Sequence, residues 1–303
     1  TDLNIFLRGD VKSKGPLVPR RFLEVLAHDD PGQFKNGSGR GELAMAIADS
    51  KNPLTARVFV NRVWAMLFGR GLVGSTSNFG QLGDRPTHPE LLDDLAVRFM
   101  RQGWSVKWLV RELVLSATYQ QASKQNLANA KIDESNTYLW RMNRRRLSVE
   151  QLRDAILNVS GRLDREGGKS LELDDEKNLR RTVYSRVSRL QLNRTMMLFD
   201  YPDANVHASK RFSSTTAPQK LFVMNNPFVI ARARDFAKRL NVAAENHSDQ
   251  VDLAYRMAYG REPGEGEKAI GLQFLSQEEG VKMTALERYA QAILAANEMM
   301  YLD

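Results

Sequence analysis

The 303 residues, 42% of them hydrophobic, can bury roughly three quarters of the surface of the unfolded chain, as one large or two ordinary globular domains do. No apolar run reaches the ~18 residues of a membrane-spanning helix, and zero cysteines exclude disulfides, thiolate zinc sites, cysteine nucleophiles and covalent c-type haem attachment within these residues. An excess of 44 Lys and Arg over 36 Asp and Glu, net +8, favours weak attraction to anions in general, of which nucleic acid is only one.

Residues 1–41 hold few periodic apolar positions and many turn formers, among them Gly9, Gly15, Pro16, Pro19, Pro31 and Gly32, and read as an irregular arm. Within it the Leu3 to Leu7 run predicts a short strand, followed by a turn at Arg8-Gly9-Asp10. That tripeptide is common enough by chance that the turn ranks above an adhesion motif. Glu42 to Ala48 predicts a short helix.

Asn52 as cap and Pro53 at the first position then start a helix that runs to about Phe68 and stops at Gly69. Its apolar residues, including Ala56, Phe59, Val60, Val63 and Trp64, cover most of the circumference, so the helix is expected to be central and largely buried. Arg57 and Asn61, four apart, and the neighbouring Arg62 need partners in such a helix. A structural network tying loops to the core ranks above a ligand site, and an acidic turn at 200–203 is the expected partner. The glycine-rich segment 69–86 lacks both the Gly-Lys-Ser/Thr ending of a P-loop and a dinucleotide fingerprint, so nucleotide binding is rejected.

Thr87 and Glu90 predict a capping box for a helix over 88–102 that presents Leu91, Leu92, Leu95, Phe99 and Met100. Ser105 caps a third helix with Val106, Leu109, Val110, Leu113 and Val114 on one face. His88 and Glu90 share the first turn, but an i, i+2 pair does not put both side chains on one helical face, which makes it a weak metal signal.

After a polar break at 123–135, Arg141, Arg144, Arg145 and Arg146 interleave with Tyr138 and Trp140. They form either a stacking and phosphate patch for nucleic acid or a set of ion pairs to Asp93, Asp94, Glu150 and Asp154, and the ion pairs rank higher. Ser148 with Gln151 is a capping box for a helix over 149–160, ended by Gly161. Residues 162–179 are charged and aperiodic, as at a lobe boundary, and Arg181 to Ser188 alternates as a strand whose expected partner is Leu3 to Leu7.

The loop from Leu198 to His207 is chemically the richest. Asp203, Asn205 and His207 alternate like the first ligands of a calcium loop, but Ala208 and Ser214 stand where the turn glycine and the bidentate glutamate belong, so an EF-hand is excluded. Asp200, Asp203 and His207 either converge as metal ligands or acid/base groups or, ranked above that, cap backbone amides, and Arg211 is placed to neutralise one of them. The remainder is helical, with a capping box at Thr216 and Gln219, a start at Asn226-Pro227, a cap at Ser248 for 249–259, and helices near 265–278 and 285–300.

These elements predict a mainly α fold, bundle-like, with a minor β element (a short strand pair) and long irregular loops. The expected organisation is an arm over 1–41, a helical lobe over 42–165, and a second lobe over 180–303 packed with the first as one compact unit.

The strings NPLTARVFVNRVWAMLFGRGLV, FGQLGDRPTHPELLDDLA, GWSVKWLVRELVLSATY, WRMNRRRLSVEQLRDAIL, FDYPDANV, TTAPQKLFVMNNPFV and AYGREP, in this order over about residues 42–303, resemble the planctomycete-type domain of unknown function 1553, the planctomycete cytochrome-associated C-terminal domain. The resemblance implies the C-terminal piece of a long exported protein, in an extracytoplasmic, periplasmic setting. It also implies a haem c carried by another domain of the parent and a companion domain as further partner. The missing haem motif, and an N-terminus without the basic-then-apolar pattern of a signal peptide, fit an excised piece. No catalytic role carries over from the resemblance to any residue here, and no cofactor is expected in this chain.

Three functions follow as expectations. The first is a non-catalytic helical interaction module that docks on the cytochrome domain, the companion domain or another extracellular partner. The alternative is an extracytoplasmic hydrolase, acting on polysaccharide with or without a metal, which uses Asp200, Asp203, His207, His88 and Glu90. Ranked last is nucleic-acid binding through Arg141, Arg144 and Arg145.

Overall fold

The computed structural model describes residues 2–27, 29–278 and 280–302, so Thr1 and His28 of the expected arm, and Glu279 and Asp303 of the expected second lobe, lie outside the described residues. The chain is mainly helical and divides into two compact units, Thr1–Asn143 and Arg144–Asp303. That division falls before the helix at 149–160 rather than in the charged stretch 162–179.

Unit 1 begins with β1 (Leu3–Phe6), which pairs antiparallel with β2 (Lys14–Val18) in the register Leu3 to Val18 and Asn4 to Leu17. The expected partner of β1 was Arg181 to Ser188, and that expectation is corrected. Arg181 to Ser188 is no strand: Thr182–Tyr184 is a 3-10 turn, held by the Thr182 amide and hydroxyl donating to Asp154 Oδ1 at 2.7 and 2.6 Å. Alternation misled because the small polar side chains Thr182 and Ser185 are buried there, while Val183 and Val187 face solvent.

Four helices and their loops build the rest of unit 1: α1 (Arg40–Ala48), α2 (Thr55–Phe68), α3 (Pro89–Arg101) and α4 (Val106–Val114), followed by the short α5 (Leu127–Ile132) inside the polar break. Helix α2 starts later than expected because Asn52 organises a turn instead of a cap. Its Oδ1 accepts from the Leu54 amide at 3.0 Å and its Nδ2 donates to the Ile47 carbonyl at 3.1 Å. Gly69, at φ 83°, ends α2 as expected, since the left-handed conformation costs glycine little.

Ser105 caps α4 through the Trp108 amide, but the capping box at Thr87 and Glu90 does not form. The Thr87 hydroxyl instead pairs with His88 Nδ1 and the Leu72 carbonyl. The core of unit 1 joins Val60, Trp64 and Phe68 of α2 to Leu92, Leu95 and Phe99 of α3 and Leu109 and Leu113 of α4. Each such side chain contributes about 1.5–3 kcal/mol on burial.

Unit 2 contains the two-residue pair β3 (Arg145–Arg146) and β4 (Tyr301–Leu302), then α6 (Val149–Val159), α7 (Arg194–Leu198), α8 (Ala217–Asn225), α9 (Pro227–Ala243), α10 (His247–Tyr259), α11 (Glu265–Leu275) and α12 (Ala285–Ala295). The Ser148–Gln151 box forms at α6, and Asn226 caps α9 through the Phe228 amide at 2.9 Å. At α10 the cap is Asn246, two residues before the expected Ser248. Helix α9 is the spine of this unit. Ala233, Phe236, Ala237 and Leu240 recur at helical spacing and pack against α12, which supplies Ala290, Ile293 and Leu294 to the same core.

Arg261 clamps the corner between α10 and α11. It forms a bidentate pair with Glu267 at 2.8 Å, reaches Glu298 at 2.6 Å, and lies over the Tyr255 ring at 5.1 Å. Hydrogen bonds from Arg261 and from the Gly264 amide hold the Glu267 carboxyl down at about 2, against an ordinary value of 4.5. A depressed carboxyl stabilises the fold fully above its unfolded value and loses that contribution as pH falls through its folded one. Because these side chains are partly exposed and solvent screens them, Arg261→Met should cost only about 1 kcal/mol near neutral pH. Thermal unfolding followed against pH should show the gap between wild type and variant closing as the pH drops from about 4.5 to about 2. A gap that persists unchanged at the acid end would assign the effect to the Tyr255 stacking instead.

Candidate functional site

Arg57 and Asn61 are both spent inside unit 1. Arg57 Nε donates to Asp93 at 2.5 Å and its Nη1 to the Pro53 carbonyl at 2.6 Å. That hydrogen bond lowers the Asp93 carboxyl below the usual range and raises the guanidinium further. Asn61, fully buried, donates to the Val73 carbonyl at 3.0 Å and accepts from the Val73 amide at 2.9 Å. The network ties the glycine-rich loop to the core, but its acidic partner is Asp93 rather than the 200–203 turn. Arg62 is exposed.

His88 is half-buried, its ring edge-on to Tyr138 with centroids 5.8 Å apart, and Glu90 is exposed; both belong to unit 1. Asp200, Asp203 and His207 belong to unit 2. The Asp200 carboxylate accepts from the Ser214 amide at 2.8 Å and the Ser214 hydroxyl at 2.8 Å, with Gln219 Nε2 at 3.5 Å. Burial works to raise this carboxyl, yet the Ser214 and Gln219 hydrogen bonds outweigh it and the net direction is down. Asp203 caps the Asn205 amide at 2.8 Å, and His207 is exposed. The capping use ranked above chemistry therefore describes Asp200 and Asp203. Among the described residues no group of three or more His, Asp or Glu side chains is placed to hold a metal.

Arg211 does not neutralise Asp200 or Asp203. It pairs with Glu150 at 2.7 Å and lies over the Tyr201 ring at 4.9 Å. Of the other basic candidates, Arg141 lies over Trp140 at 5.1 Å, Arg145 sits in β3 opposite Leu302, and Arg144 is exposed. The acidic residues expected to pair with this run have other arginines as partners: Asp93 takes Arg57, Asp94 takes Arg98, Glu150 takes Arg211 and Asp154 takes Arg181.

Two concave sites were not anticipated. In unit 1 an apolar groove of about 420 Å³ lies between α1, the start of α2 and the 3-10 turn Glu24–Leu26. Phe22, Leu26, Leu43, Ile47, Val58 and Phe59 line it, and Arg62 stands at its margin. Helix α1 has no buried residue at all, and Met45 on the same helix is 74% exposed. A helix carrying Leu43, Met45 and Ile47 with none of them buried is unusual for a globular unit.

In unit 2 a cavity of about 700 Å³ opens between α6, α7, the α8–α9 junction and the acidic segment 174–176. Leu152, Ile156, Phe199, Phe222 and Phe228 wall it, and Arg153, 6% exposed, lines it. The sequence signal for this site is Arg153 itself, set among Val149, Leu152 and Ile156 on the apolar face of α6.

The model of a family described as PSD1, protein of unknown function (DUF1553), matches residues 39–275. No curated protein and no solved structure matches the chain.

Proposed function

The chain belongs to the PSD1 family of proteins of unknown function (DUF1553), and from that premise we propose that it is a non-catalytic interaction module whose contact surface is the groove of unit 1. The observation that carries this reading is α1, a helix with apolar side chains and no buried residue. Surfaces of this kind are normally covered by a partner, because contiguous exposed apolar area is costly in water. Arg62 at the groove margin and the net charge of +8 define the partner's chemistry as an apolar patch rimmed by carboxylates. The c-type cytochrome domain of the same parent protein is the proposed partner, with the companion domain as the second arm of the test. The haem resides on the cytochrome domain and the assembly is extracytoplasmic, both on the strength of the family resemblance. Binding is preferred over hydrolysis because the Asp200 and Asp203 carboxylates are engaged in turn and cap hydrogen bonds.

Titration calorimetry of the chain against each recombinant domain should give a one-to-one complex with the cytochrome domain. Leu43→Glu combined with Ile47→Glu, one turn apart on the face that lines the groove, should weaken it at least about tenfold, the scale of an interface hot spot. Leu82→Glu, at a leucine 95% exposed and outside the groove, should leave it unchanged. Absence of binding by both domains, or indifference to the α1 substitutions, would reject the groove as the contact surface.

A further inference from the structure

The cavity of unit 2 has no part in the interaction reading and carries an inference of its own. Its floor holds two guanidinium groups over one aromatic ring: Arg153 lies 5.4 Å and Arg232 5.7 Å from the Phe228 centroid. Only one of the two has a carboxylate in contact. Arg232 pairs with Asp235 at 2.8 Å. Arg153 instead donates to neutral oxygens, the Arg180 carbonyl at 2.9 Å, the Thr182 hydroxyl at 3.2 Å and the Asn178 carbonyl. Three of its five N–H donors are thus used and two remain.

The nearest carboxylates, Asp154 and Asp174, favour the Arg153 charge from a distance but make no hydrogen bond or ion pair to it. Asp154 accepts from Thr182, and Asp174 accepts from Asn193 at 2.5 Å and Thr195 at 2.9 Å. A buried cation facing a like charge, with donors to spare and its nearest carboxylates out of contact, gains from a carboxylate brought into direct contact. Asp174, Asp175 and Glu176 also line the cavity, but they are exposed, as is Arg194, so salt screens them over ~8 Å at physiological ionic strength.

We propose that this cavity is a binding site for a monocarboxylate amphiphile, its carboxylate taken up at Arg153 and Arg232 and its apolar body set against Ile156, Phe199, Phe222 and Phe228. One carboxylate matches the single guanidinium that no carboxylate touches, and a guanidinium fork suits the planar carboxylate. At about 700 Å³ the space is within the range of ~300–1,000 Å³ that encloses small organic ligands. The first turn of α9, from Pro227 to Ala231, also borders the cavity and adds the positive end of a 17-residue helix.

The test uses the intact chain and a dansyl-labelled long-chain carboxylic acid, with its methyl ester as the uncharged control. The acid should bind with blue-shifted, enhanced emission, at least about tenfold more tightly than the ester, as expected for a charge-assisted pair. Ala231→Trp, which fills the cavity, should abolish binding of both probes. Arg232→Gln should weaken binding of the acid about threefold or more by removing one of its two guanidinium contacts, and leave the ester unaffected. Equal affinity for acid and ester would overturn the carboxylate assignment, and acid binding that survives Ala231→Trp would place the probe outside the cavity and overturn the site. No binding of either probe would overturn both. Should an arginine variant fail to fold, the comparison of acid with ester on the unaltered chain still decides.

Discussion

Asn61→Ala is expected to lower the unfolding free energy of unit 1 by about 3–4 kcal/mol, among the largest effects of any polar substitution in the chain. The amide makes a two-way bond to a single peptide group, donating to the Val73 carbonyl at 3.0 Å and accepting from the Val73 amide at 2.9 Å, with no solvent access. Truncation strands both Val73 groups in the core, each costing about 1–3 kcal/mol, and opens a small cavity as well. No neighbour can move in to replace the amide. Gly71 sits so close that a Cβ there would lie 2.6 Å from the Val73 oxygen and 2.8 Å from both amide atoms of Asn61. All four tryptophans, Trp64, Trp104, Trp108 and Trp140, fall in unit 1, so urea unfolding read by tryptophan emission reports this unit. A midpoint shifted by less than the equivalent of about 1 kcal/mol would mean that water enters and satisfies Val73.

In unit 2 the counterpart is Gln219→Leu, expected to destabilise by about 2–4 kcal/mol and to loosen the loop that carries Asp200 and Asp203. Gln219 is 1% exposed. Its Nε2 donates to the Leu198 carbonyl at 2.8 Å, and its Oε1 accepts from the Thr216 amide at 3.1 Å and from Arg146 at 2.9 Å. It therefore links the end of α7, the start of α8 and the basic run at 144–146 through one side chain. Leucine has nearly the same volume, so the loss is one of hydrogen bonds rather than packing. Trypsin cleavage after Lys210 or Arg211, both exposed, should accelerate by about tenfold or more as the loop opens. Unchanged cleavage with lowered global stability would assign Gln219 to the α8 cap alone.

These two residues also mark how far the sequence could be read. The Thr216–Gln219 capping box was legible because a cap is a contact between residues three apart, and so were the Ser148–Gln151 box, the Asn226 cap and the Gly69 stop. The partners that give Gln219 and Asn61 their weight, Leu198, Arg146 and Val73, lie 12 to 73 residues away and leave no local trace. Distance in sequence explains the mispaired charges as well, since Arg57 meets Asp93 across 36 positions and Arg211 meets Glu150 across 61.

Where local signals failed, they failed for physical reasons. Arg181 to Ser188 alternates as a strand does, but its valines are the exposed set. The β2 strand contains Gly15 and Pro16, which read as turn formers, and its hairpin is held by backbone hydrogen bonds rather than by a buried face. Neither concave site was read from the sequence; the second carries one local signal, Arg153 on the apolar face of α6.

Helix α1 carries one more consequence. Nine residues with Gly41 among them, no buried face and no side-chain cap at the N-terminus make a helix of marginal intrinsic stability, since glycine alone costs about 1 kcal/mol against alanine. Its order in the free protein rests on Glu42, whose carboxylate accepts from the Lys35 and Asn36 amides at 2.9 Å each, and on Asn52 and Thr55, whose side chains donate to the Ile47 carbonyl at 3.1 and 2.6 Å. Whatever binds along Leu43 and Ile47 must therefore meet the residual cost of holding this segment helical. Affinity for that partner is then adjustable from Gly41, a position on the opposite side of the energy balance from the contact itself: a better helix former there would tighten the complex by preorganisation, without adding a single interfacial atom.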